Sequence, residues 1–156
     1  MKILIISSNL IGDTILSTGI VEYFHQNYPK AKFTFLIGPS AGQVYEHFPA
    51  LEKIITIKKQ KFNLHWLKMY FHCFNIKWDI IIDLRSSLIS YFLLSDKKYI
   101  FKKYKEIYHI EQLNNYFNLK NSNLIIYNDL SELNIVKNNL DENFKYVVMV
   151  SYKKPY

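Results

Sequence analysis

The sequence predicts an α/β fold, a Rossmann-like doubly wound parallel sheet, on three observations. Apolar runs of strand length recur along the chain with helical stretches between them, the pattern of βαβ units. The first run, residues 2–6, is apolar without a break from Ile3 onward, as expected of a central strand covered on both faces. A loop follows it directly and opens a helix, which is where doubly wound folds bind ligands, at the carboxyl edge of the sheet.

The elements follow in order. After the strand at 2–6, Asn9 to Asp13 is a loop with one glycine. From Thr14 the positions Ile15, Leu16, Gly19, Ile20, Tyr23 and Phe24 recur at helical spacing, and Pro29 lies just beyond the expected end. Residues 32–37 form the second strand, with Gly38-Pro39-Ser40 as its exit turn. A short helix over 41–48, a strand over 53–57 and a helix over 64–75 come next, the last with Trp66, Met69, Tyr70 and Cys73 on one face. Helical spacing makes Trp66, Tyr70 and Phe74 core residues rather than a stacking platform. Residues 78–84 are the clearest later strand, three isoleucines between Asp79 and Asp83. A helix over 86–94, a short strand over 99–101 and a helix over 110–117 complete the first unit. Beyond Asn118 the periodicity weakens into an Asn-rich stretch holding one helix, roughly 130–139, before a new buried-type strand at 145–150. The expected organisation is a Rossmann-like domain over 1–120, a linker over 121–144 and the opening strand of a second, truncated domain over 145–156.

Composition narrows the function classes. At 156 residues, with 49% hydrophobic and 21% charged residues, the chain has the length and make-up of one globular domain. Its thirteen Tyr, eleven Phe and abundant Ile, Lys and Asn are the residue types of AT-rich codons, so the aromatic count carries no functional weight. The net charge of +7 is almost wholly lysine, with Arg85 the single arginine. Lysine-based charge suits an anionic lipid or phosphorylated substrate, or serves solubility alone. Nucleic acid is disfavoured, because arginine is scarce and no recognition motif is present. One cysteine, Cys73, excludes an internal disulfide and a cysteine-based zinc site, and the five histidines lack ligand spacing, so no metal is expected. The opening apolar run is too short for a secretory signal. Residues 64–76 are broken by His65, Lys68 and His72 and are too short to span a bilayer, so any membrane contact is peripheral.

The chemistry-bearing segment is Ser7-Ser8-Asn9-Leu10-Ile11-Gly12-Asp13-Thr14-Ile15-Leu16-Ser17-Thr18-Gly19. It has neither the glycine pattern of a dinucleotide cradle nor a P-loop, and no cofactor is expected. Gly12 is expected to let the backbone turn tightly, and Asp13 to place a carboxylate on the first helical turn. Asp13 has two readings: a general base that accepts the proton of a sugar hydroxyl as it attacks an activated sugar, or a helix N-cap. Asp83, Arg85 and Ser86 sit at the carboxyl end of the strand at 78–84, where they contact an acceptor or form a turn that caps the next helix. Asp79 is read as a residue at the start of that strand.

Four stretches, in order, carry a family resemblance: Lys2-Ile-Leu-Ile-Ile6, Ile11-Gly-Asp-Thr-Ile-Leu-Ser-Thr18, Tyr28-Pro-Lys-Ala-Lys-Phe-Thr-Phe-Leu-Ile-Gly-Pro39 and Trp78-Asp-Ile-Ile-Ile-Asp-Leu-Arg-Ser-Ser-Leu88. Together with His109-Ile-Glu-Gln-Leu-Asn-Asn-Tyr116, the set resembles glycosyltransferase family nine, the ADP-heptose:lipopolysaccharide heptosyltransferases. The loop before Gly12 lacks a basic residue often found in relatives, Gly19 stands where proline is usual, and no His-Pro-Gly-like loop follows residues 146–154. The resemblance implies the N-terminal half of a GT-B architecture, in which two Rossmann-like domains face each other across a cleft. It implies Asp13 as the base, with Gly12, Thr14, Asp83, Arg85 and Ser86 toward a saccharide or lipid-linked acceptor. A nucleotide-sugar is then expected to bind only with a second, donor-side domain, leaving this chain incompetent alone. It implies a cytoplasmic location, with peripheral contact at the anionic inner membrane through Lys58, Lys59, Lys61 and Lys68 beside Phe62 and Trp66. The alternative is a non-enzymatic acceptor- or membrane-binding module.

Overall fold

In a computed structural model of the chain, residues 1–56, 64–102, 109–120 and 123–127 are described. Five strands, β1 (Lys2–Ile6), β2 (Lys32–Ile37), β3 (Leu51–Thr56), β4 (Trp78–Asp83) and β5 (Ser95–Ile100), form one parallel sheet in the order β3-β2-β1-β4-β5. Among the described residues six helices accompany them: α1 (Ile11–Leu16), α2 (Thr18–Asn27), α3 (Pro39–Gly42), α4 (Leu64–Cys73), α5 (Ile89–Phe92) and, after the last strand, α6 (His109–Tyr116). The unbroken apolar run at the start is the central strand, with Ile5 pairing Phe35 on one side and Ile82 on the other.

Because side chains alternate across a strand, the sheet carries two cores. Ile3 and Ile5 of β1, Phe33 and Phe35 of β2 and Ile80 and Ile82 of β4 face α2, the segment after α3 and α6, where they meet Phe24, Tyr45, Phe48 and Leu113. Leu4, Ile6, Leu36, Trp78 and Ile81 point the other way, onto Met69 and Cys73 of α4 and Ile89 and Leu93 of α5. Trp78 is fully buried, and its indole N–H donates to the carbonyl of Cys73 at 3.2 Å, which satisfies the one polar atom that burial would otherwise strand. Cys73 is buried, and burial pushes its thiol up to about 11.

Several elements differ from expectation. The helix that starts near Thr14 is broken at Ser17, where the hydroxyls of Ser17 and Thr18 donate back to the carbonyls of Thr14 and Ile15, both at 2.8 Å. Such back-bonding competes with the helical ladder and bends it. The helix expected over 86–94 shrinks to Ile89–Phe92, because residues 83–87 are held in a turn with Ser86 at φ 57°, outside helical space. In place of a helix over 41–48, the chain makes α3 and a tighter turn, Gln43–Tyr45. The last strand is longer than the 99–101 run. Its first half, with Asp96, Lys97 and Lys98 exposed, is the polar sequence of a sheet edge, which hides it from a search for apolar runs. The expected helix at 130–139, the strand at 145–150 and Lys58, Lys59, Lys61 and Phe62 lie outside the described residues, as does the side chain of Trp66.

A candidate site at the switch point of the sheet

The strand order reverses between β1 and β4: the chain leaves β1 toward β2 and β3, then crosses back to lay β4 on the far side. Loops leaving the two strands diverge there and open a crevice at their carboxyl ends. The bottom is closed by the sheet, with Leu84 N–H donating to the Ile6 carbonyl at 2.9 Å and Ser7 N–H to the Leu36 carbonyl at 3.0 Å. The resulting cleft has a volume of about 120 Å³ and is lined by Ser7 and Ser8 from the end of β1, Asp13 and Ser17 from the first helical pair, Leu84 and Arg85 from the end of β4, and His109 from the start of α6.

Asp13 is placed by local chemistry. The N-cap of α1 is Leu10, extended at φ −93° and ψ 128°, with no capping side chain. Ser8 supplies what Leu10 lacks: its hydroxyl accepts the Leu10 N–H at 3.1 Å and donates to Asp13 Oδ2 at 3.3 Å. Asp13 is therefore the third residue of the helix and not its cap, which corrects the capping alternative. A negative side chain in this turn is stabilised by the aligned peptide dipoles. The carboxylate is half-buried in the wall of the cleft, and so placed it can accept a proton from a hydroxyl bound there.

At the end of β4, Arg85 is tied to the first loop by a bond from its Nη1 to Asn9 Oδ1 at 3.3 Å. Asn9 is in turn pressed against Gly38. A Cβ at Gly38 would lie 2.7 Å from the Asn9 Cα, so this glycine permits the loops after β1 and β2 to touch. Gly12 has no such role: it is an exposed helical residue without a positive φ, and a Cβ added there would meet nothing within 4 Å, contrary to the tight turn expected of it.

The remaining expected residues are not in the cleft. Thr14 is buried, and its hydroxyl donates to the Leu10 carbonyl at 3.0 Å. Asp83 is fully buried, its carboxylate accepting the backbone N–H of Arg85 at 2.9 Å and of Ser87 at 2.6 Å. Burial pushes its carboxyl above the ordinary value, and those two N–H bonds oppose the rise. Asp83 is thus the pin of the turn that aims Arg85, and Ser86 is the exposed, left-handed apex of that turn. Asp79 accepts the Lys2 N–H at 2.5 Å and joins the starts of β1 and β4. Ser8 and Ser17, which lie in the chemistry-bearing segment but had no role assigned, line the site, and His109 joins it without having been expected there. The signal for His109 is topological, since it opens the helix after β5 and so arrives at the carboxyl edge.

A five-stranded parallel sheet with helices on both faces and a crevice at its switch point defines a Rossmann-like domain of the kind found in GT-B glycosyltransferases. The chain is similar in structure to a family 9 glycosyltransferase from Veillonella parvula, with a TM-score of 0.67 and 19% identity over 91% of this chain and 50% of that one. It is also similar to the E. coli heptosyltransferase WaaC. The form solved with ADP gives a TM-score of 0.57 and 13% identity over 80% of this chain and 49% of that one. The form solved with ADP-2-deoxy-2-fluoro heptose gives 0.55 and 13% over 88% and 55%. At these identities the likeness is one of fold, and it agrees with the family resemblance of the sequence motifs. The chain spans about half the length of the solved structures it matches. No protein-family model and no curated protein matches it.

Proposed function

We propose that the chain is the acceptor-side, N-terminal-type domain of a glycosyltransferase similar to the heptosyltransferases, with Asp13 as the general base. The observation that carries this reading is that Asp13 lines the switch-point cleft together with Arg85 and His109. In the reaction, an acceptor hydroxyl attacks the anomeric carbon of a nucleotide-sugar, the bond to the nucleotide diphosphate breaks, and the hydroxyl proton passes to the Asp13 carboxylate. Arg85, which also lines the cleft, is a cationic group suited to a phosphate or carboxylate on the acceptor. The acceptor is a lipopolysaccharide-type saccharide at the cytoplasmic face of the inner membrane, which suits a lysine-rich chain. A donor-side domain holds the nucleotide-sugar, and transfer requires it.

The test is transfer of sugar from ADP-heptose to a lipopolysaccharide-type acceptor with a donor-side domain supplied. Asp13→Asn keeps the shape and removes the base, so turnover should fall roughly 100-fold or more, with the unfolding midpoint unchanged. Equal turnover in the variant removes Asp13 from the chemistry.

A further inference from the structure

Two helices on the second face of the sheet are apolar on both of their sides. On α4, Met69 and Cys73 are buried against the sheet, yet Leu67, Phe71 and Phe74 are 54%, 58% and 40% exposed. Spaced i, i+4 and i+7, these three form one outward stripe, with the Phe71 and Phe74 rings 5.7 Å apart edge to face. On α5, Ile89 and Leu93 are buried while Leu88 and Phe92 are 75% and 71% exposed, flanked by exposed Tyr91 and Leu94. The two helices pack against each other on the same face of the sheet. Single exposed apolar side chains are ordinary, but a cluster of this kind marks an interaction surface.

The rim says what covers it. Lys68 on α4 and Lys98 on β5 are exposed around the apolar side chains, and Lys98 Nζ donates to the Tyr91 carbonyl at 3.1 Å, at the edge of the patch. Lys77 is paired with Asp96 at 2.9 Å. Two copies meeting through this face would set lysine rim against lysine rim on chains of charge +7 each, which opposes self-association. An anionic lipid surface instead neutralises the rim while the phenyl and tyrosyl rings enter the interfacial layer. Position agrees as well. Arg85 lines the cleft and Leu88, three residues on, is the nearest member of the patch in sequence, so docking holds the rim of the cleft close to the bilayer surface.

From these observations we propose that the α4–α5 face docks peripherally on an anionic lipid bilayer, the outward stripe of Leu67, Phe71, Leu88 and Phe92 entering the interface and the lysine rim meeting the headgroups. This names the surface behind the membrane-proximal acceptor reading, but its test involves no sugar transfer. The whole chain is sedimented with vesicles of phosphatidylglycerol in phosphatidylcholine and with vesicles of phosphatidylcholine alone. Binding is expected with the anionic vesicles only, weakening as salt rises. A variant with Phe71→Gln and Phe92→Gln should lose at least tenfold in vesicle affinity, and Lys68→Glu with Lys98→Glu should lose most binding at low salt. The lysine variant alters only exposed charge and so decides the matter even where the aromatic variant folds poorly, which circular dichroism reports. Asp13→Asn should bind vesicles like the original chain, which separates this proposal from the catalytic one. The proposal is overturned where the original chain ignores anionic vesicles at low salt, or where both variants bind unchanged. It is equally overturned where the patch instead drives a concentration-dependent dimer in sedimentation velocity that the same substitutions abolish.

Discussion

Two glycines exchange roles between sequence and structure. In the motif, Gly12 stands beside the carboxylate and invites a reading as the turn-maker, yet a side chain there meets open space and helical dihedrals. Gly38, in an ordinary-looking exit turn, is the one whose hydrogen is needed, because a Cβ would fall 2.7 Å from the Asn9 backbone. Gly38→Ala should therefore destabilise the domain by about 1–3 kcal/mol by overpacking, since backbone rather than a flexible side-chain end must move. Gly12→Ala should be neutral or stabilising by up to about 1 kcal/mol, alanine being the better helix former. Urea unfolding of the two variants checks both signs, and a costly Gly12→Ala would contradict the open space around α1. The same contrast explains how far the site was legible. Asp13 and Arg85 could be read from the motif, but Thr14, one residue further along the helix, turns its hydroxyl to the Leu10 carbonyl and away from the cleft. Sequence spacing gives a helix face, and only the docking of that helix on the sheet says which face looks inward.

At the scale of elements, the loop from β4 to α5 shows a buried charge put to structural use. Asp83 accepts two backbone N–H groups and so keeps Arg85 aimed at the cleft. In Asp83→Asn the amide oxygen can serve one of those donors, while the amide NH₂ faces the other, leaving an unsatisfied N–H at a cost of about 1–3 kcal/mol. The pH dependence has a definite sign. Burial raises the Asp83 carboxyl above its ordinary 3.8, so its contribution to stability is fully present below that value and is lost as pH rises through the raised one. The stability of the original chain relative to Asp83→Asn should accordingly be larger near pH ~3.5 than near pH ~6.5, measured by urea unfolding of both proteins at the two pH values. A difference that grows with pH would mean that the two N–H bonds outweigh burial. The same turn explains why the helix read over 86–94 is short. A side chain reaching back to pin residues 85 and 87 is a contact of the folded loop, and the apolar spacing of Ile89 and Leu93 does not reveal it.

For the whole molecule, the size of the cleft bears on what the domain does by itself. A volume of about 120 Å³ is well below the ~300–1,000 Å³ of pockets that enclose a small organic ligand, and the β1–α1 loop has no glycine-rich phosphate cradle. The chain by itself should then hold ADP-heptose no more tightly than about 1 mM, which calorimetry reads as silence at micromolar protein. A dissociation constant of about 1 μM would place a complete donor site within these residues and overturn the division into acceptor-side and donor-side domains.

By itself the sequence determined the first four strands, the order of the helical stretches between them and the loop that holds Asp13, because these follow from hydrophobic period and turn chemistry within a few residues of each position. The central place of β1 was legible for the same reason, since a strand covered on both faces has no polar alternation. Tertiary structure alone decided the rest. The crossover after α4 sets β4 beside β1 and thereby makes the switch point, and the approach of α6 brings His109 into a cleft with residues about a hundred positions away. It also laid α4 beside α5 with an apolar side of each turned to water. These are long-range pairings fixed by the packing of whole faces, and no local spacing records which faces meet.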